Sequence, residues 1–177
     1  MAALVVGRAR NHTGEFMNDT QFWLIIEEAW GTVGGWKEER KKLADGRLPD
    51  DKLSDLVGAL DEVIPALRAR LQSLSQDDLL AFDRILERKL WDIDRAEIQE
   101  VTDGSDDGFL YARGFIVAAG RDFYDSVNVK PSRAIMDVEC EDMCYLSFHV
   151  YQERFGDMPR SNITRESASN PAGWPKS

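Results

Sequence analysis

From Leu53 to Leu74 the chain places an apolar residue at every third or fourth position. Leu53, Leu56, Val57, Leu60, Val63, Ile64, Leu67, Leu71 and Leu74 all keep that spacing. A helix turns about 100° per residue, so these side chains collect on one face. A strand would need strict alternation, which the stretch lacks. A helix with one long apolar face needs other helices to cover it. Pro65 falls inside the stripe and predicts a kink, or the start of a second helix, at that point.

The same spacing recurs along the chain. Around 20–30, Phe22, Ile25, Ile26, Ala29 and Val33 share a face, and Trp23 and Trp30 make a second one. Asp19 or Thr20 is placed to cap this helix, and Gly31 and Gly34-Gly35 to end it. Residues 36–50 carry a short charged helix and then the turn DGRLPDD. Ser75 with Asp78 then opens a helix carrying Leu79, Phe82, Leu86, Leu90 and Ile93 in one stripe. Asp83, Asp94 and Glu97 lie at or beside that stripe, where acids are unexpected. Either the helix breaks near Asp92–Asp94, or some of these carboxylates find partners inside.

The stretch Asp103–Arg121 is the densest in signals. Ser105 or Asp106 caps a helix reaching about Val127, with Phe109, Ala112, Ile116, Ala119, Gly120, Phe123 and Val127 on its buried stripe. Asp106, Arg113 and Tyr124 line one edge of that stripe. A last helix ends near Phe155-Gly156. The reading is therefore all-α, a single-domain bundle of five or six helices over 17–156. Loose ends flank it: an extension at 1–16, with room for a short strand at Leu4–Val6, and an irregular Pro- and Ser-rich tail at 157–177.

Charge narrows the function classes. A net charge of −10 argues against nucleic acid and anionic membrane as partners, because both require a basic surface. KEERKK at 37–42 is the one dense basic run. The two cysteines build no disulfide framework, and no apolar run approaches a membrane span. These features point to a cytoplasmic protein.

Specific chemistry is sparse. Asp103, Ser105, Asp107 and Gly108 imitate the start of a calcium loop, but the twelfth position is Gly114 rather than Glu, and the segment reads as a turn and helix cap. Cys140 and Cys144 share a helix face from which His149 points away, so no zinc site forms. No metal and no cofactor is expected. No phosphate-loop, dinucleotide or Ser/His/Asp pattern occurs. What remains is acids against arginines, with aromatics nearby. The candidate binding residues are Asp83, Trp91, Asp106, Asp107, Arg113, Arg121 and Tyr124. They form either a pocket for a small polar ligand or an ion-pair network that fixes helix packing.

Several segments resemble a known family. They are the Phe22-Trp23 pair, LLAFDRIL at 79–86, Trp91-Asp92, GSDDGFLYARGFIVAAGRDFYD at 104–125 and YLSFHVYQERFGDMP near the end. Together they are similar to the bacterial, largely actinobacterial family named domain of unknown function 4240, over roughly 17–175. Ala112 stands where members often carry a second aromatic. The resemblance implies an all-helical cytoplasmic domain and no particular activity. Two functions then compete. One is an accessory or regulatory module that binds a protein partner. The other is an enzyme or binder acting on a small polar molecule in a pocket lined by Asp, Arg and Trp. Oligomeric state is open.

Overall fold

The computed structural model describes residues 17–102 and 104–174. The expectations for 1–16, including the short strand, and for Asp103 lie outside the described residues. Eight α-helices follow in order: α1 Asp19–Val33, α2 Lys37–Ala44, α3 Asp50–Gln72, α4 Gln76–Asp92, α5 Ala96–Thr102, α6 Asp106–Ala118, α7 Arg121–Val129 and α8 Glu141–Phe155. A single 3-10 turn, Pro131–Arg133, stands between α7 and α8. The described residues contain no strand, so the all-α reading holds, with more helices than the five or six expected.

The extra helices have local causes. The helix expected from 105 to 127 is two. Gly120 adopts φ 101, a region closed to most side chains, and the chain turns there between α6 and α7. The helix expected to run past Asp92 ends at that residue, and the short α5 begins after a turn. Pro65, by contrast, does not divide α3, and Ile64 and Leu67 on either side of it are both buried. Caps shift by a residue. Asn18, not Asp19 or Thr20, accepts from the Thr20 and Gln21 amides at 2.9 and 3.1 Å. Ser75 and Ser105 cap α4 and α6 as expected, accepting from Asp78 N and Gly108 N.

The bundle is centred on α8, which packs against α3, α4 and α6, and on α1, which lies along α3. Both faces of α1 are buried. The Phe22 ring lies 4.6 Å from that of Phe82 of α4, tilted by 39°, and Trp30 Nε1 donates to Ala118 O at 2.7 Å. Leu79, Phe82, Leu86, Leu90 and Ile93 are all fully buried. Each such side chain contributes about 1.5–3 kcal/mol through burial. The described part of the segment after α8, residues 156–174, forms turns without helix, as its composition predicts, but it is not loose. It is tied to the bundle by side chains from α4, α6 and the loop after α4.

Candidate functional site

Two carboxylates and one guanidinium do that tying. Asp94, in the turn after α4, is fully buried. It accepts from the consecutive amides of Ala168, Ser169 and Asn170 at 3.0, 2.7 and 2.9 Å. Ser169 Oγ and Trp174 Nε1 also donate to it, at 3.2 and 3.1 Å. Successive main-chain N–H groups wrapped round an anion form a nest. Here the anion is the protein's own.

Asp83 of α4 is the second carboxylate, also fully buried. It pairs with Arg165 of the tail at 2.6 Å and with Arg84 at 3.2 Å, and it accepts from Ser147 Oγ of α8 at 2.8 Å. Arg165 also donates to Cys144 O. The guanidinium is that of Arg113 on α6, again with no exposed surface. Its Nη1 donates to Leu90 O at 2.9 Å, and its Nη2 to Arg165 O at 2.9 Å and Ser167 Oγ at 3.1 Å. The guanidinium carbon sits 4.7 Å from the Phe109 ring centre, and Nε has no hydrogen-bond partner among the described residues. Burial pulls the Arg113 pKa below the ordinary arginine value, with Asp94 opposing that shift.

The other candidates do not join this network. Asp106 and Asp107 are exposed in the first turn of α6, where acids suit the helix dipole. Arg121 is exposed on α7 and pairs with Asp125, four residues on, at 3.3 Å. Tyr124 is buried on α7. Its hydroxyl donates to Lys89 O at 3.2 Å, and its ring lies 5.2 Å from Trp23. Burial raises its pKa well above the usual tyrosine value. Trp91 is half-buried beneath the Arg88 guanidinium at 4.9 Å. The expected edge of Asp106, Arg113 and Tyr124 is therefore not one edge, because the turn at Gly120 puts Tyr124 on a different helix. These residues do not converge on one pocket, and Arg113 lines none of the clefts described below.

Two readings of the carboxylates on the α4 stripe both hold: the helix ends at Asp92, and Asp83 and Asp94 are partnered inside. Glu97 is exposed instead. Sequence reasoning missed Arg165, Ser147, Ser167 and Asn170. The one available signal was the pair of acids on a core face, which demands partners from somewhere.

Open space lies elsewhere. A cleft of about 580 Å3 between α3 and the start of α8 is lined by Val57, Leu60, Ile64, Pro65 and Cys140, with Asp61, Glu139, Glu141 and Asp142 around them. None of those four carboxylates is in an ion pair among the described residues. A second cleft, of about 340 Å3, opens between α1, α2 and α7 and is rich in cations. A third, of about 310 Å3, runs between the tail and α4 and α8, beside Asp83 and Arg165.

Among the described residues, no group of three or more His, Cys, Asp and Glu is arranged to hold a metal ion. Cys140 and Cys144 are free and buried, whereas His149 is exposed. Cys144 Sγ donates to Leu110 O at 3.4 Å. No helix among the described residues is long and apolar enough to cross a membrane.

The family described as "Protein of unknown function (DUF4240)" matches the chain over residues 17–153. No curated protein and no solved structure matches it significantly.

Proposed function

The chain belongs to the DUF4240 family, and we propose that it is a cytoplasmic, protein-binding accessory module whose cleft between α3 and α8 docks a basic segment of a partner. The observation that carries this is the pairing of an apolar floor with carboxylates that have no ion-pair cation among the described residues. Leu60 and Ile64 supply the floor, and Asp61, Glu139 and Asp142 the rim. A lysine or arginine suits such a place, since its stem covers apolar surface while its charge stays at the rim. The net charge of −10 adds long-range attraction for a basic partner and speeds encounter. The free, buried thiols suit a reducing compartment.

The Arg113 network supports the same reading from the other side. Arg113 and Asp83 are used in holding the tail, so a small-ligand pocket built on that pair loses its central charges.

The test is titration with two short peptides, one alternating Leu and Lys and the other Leu and Glu. The Leu–Lys peptide should bind, more weakly as salt rises. A variant carrying Asp61→Asn, Glu139→Gln and Asp142→Asn should keep its thermal midpoint and lose that binding. Equal binding of both peptides, or an unchanged affinity in the variant, would overturn the proposal.

A further inference from the structure

Four cations converge on one cleft of this acidic chain. Lys37, Arg40 and Lys41 of α2 and Arg121 of α7 line the space of about 340 Å3 between α1, α2 and α7. Two carboxylates face the same space, Glu27 and Asp122. Glu27 is already engaged by Arg40. Arg40 is fixed further by Ala119 O at 3.2 Å and by the Trp30 ring beneath it at 4.9 Å. Lys37 and Lys41 are exposed and form no ion pair among the described residues.

The helix ends supply a separate observation. Both α2 and α7 start at this cleft, and neither has a side-chain cap. Each begins with a cation, Lys37 in one and Arg121 in the other. The first turns also carry acids that suit the dipole, Glu38 and Glu39 in α2 and Asp122 in α7. What the two helix starts share is a set of first N–H groups with no side-chain acceptor among the described residues, and an anion can accept from both. Leu24, 43 % exposed, and Phe123 give the cleft an apolar wall beside the cations.

We infer that the α1–α2–α7 cleft binds a small phosphate monoester, the phosphate between Lys37, Lys41 and the start of α7 and the organic part against Leu24. The volume suits a small organic molecule. A dianion gains more than a carboxylate from several converging cations, and its oxygens match uncapped amides. This site is distinct from the acidic cleft proposed above, and its test does not depend on that proposal.

The experiment is calorimetric titration of the full chain with phenyl phosphate, with benzoate as the monoanionic counterpart. Phenyl phosphate should bind about tenfold more tightly than benzoate, and more weakly as salt rises. The double variant Lys37→Gln, Lys41→Gln should weaken phenyl phosphate by about tenfold or more with no change in thermal midpoint. Arg121→Gln should weaken it as well and serves as the independent second variant. Absence of binding, equal affinity for benzoate, or an affinity unchanged in both variants would overturn the inference.

Discussion

Arg113 Nη2 donates to the main-chain oxygen of Arg165 at 2.9 Å, while the Arg165 side chain reaches back to Asp83 at 2.6 Å. One arginine thus holds the backbone of the other, and the second returns a charge to α4. The tail crosses the bundle at this point and links α6, α4 and α8. A buried guanidinium bonded to carbonyls and a hydroxyl, without a carboxylate in contact, is a demanding arrangement, because every lost bond leaves a buried acceptor bare.

Arg113→Met should therefore destabilise the fold by about 3 kcal/mol, since Leu90 O and Arg165 O both lose their donor. Arg113→Lys should rescue little, because a single ammonium cannot span the places reached by the two Nη atoms. Urea unfolding of both variants measures this. A ligand-binding arginine would instead leave stability nearly unchanged when replaced.

Asp94→Asn keeps the shape but removes the charge and replaces one acceptor oxygen with a donor. The nest at 168–170 and Trp174 Nε1 then face an amide. The expected cost is about 2–3 kcal/mol, concentrated in the docking of the tail. Limited proteolysis should cut within 157–174 faster in the variant, with the helical core intact. Asp106→Asn, at an exposed position, should change stability by no more than about 0.5 kcal/mol. Similar proteolysis of the two variants would refute the assigned role of Asp94.

These residues also mark where sequence reasoning stops. The stripe from Leu79 to Ile93 is legible because it depends only on the local helical period. The acids on it are legible as anomalies, but their partners Arg165 and Ser169 lie more than seventy residues away, in a segment with no period to place it. The break at Gly120 is hidden for another reason. Phe123 and Val127 continue the apolar phase of Phe109 and Ile116, so the pattern reads through a turn that only the backbone angle reveals. The seven residues of α5 are too few to set a period at all. The clefts escape because their linings combine helices remote in sequence.

Gly120 and Gly58 should respond in opposite directions to the same substitution. At Gly120, φ is 101, and an added Cβ would lie 2.6 Å from Arg40 Nη1 and 2.7 Å from Glu27 Oε1. Gly120→Ala should cost about 1–3 kcal/mol from backbone strain, and it should disturb the Glu27–Arg40 pair. Gly58 is exposed inside α3 with nothing within 4 Å of the added atom. Gly58→Ala should stabilise by about 0.5–1 kcal/mol. Thermal midpoints of the two single variants decide it, and shifts of the same sign would contradict the assigned backbone.

Alkaline stability follows from the two thiols. Burial pushes Cys140 up to about 11 and Cys144 up to about 12, from an ordinary value of 9.0. Above about pH 9 the unfolded chain releases these protons while the folded chain retains them. Stability is therefore unaffected by these groups below pH 9 and falls as pH rises toward the folded values, by about 1.4 kcal/mol per pH unit for each thiol within its window. The thermal midpoint should drop steadily between about pH 9 and 11, and iodoacetamide should leave Cys144 unmodified at pH 8 until urea unfolds the protein. Rapid alkylation of Cys144 in the folded chain would show that it is not sealed against α6, and its part of the alkaline slope would then be absent as well.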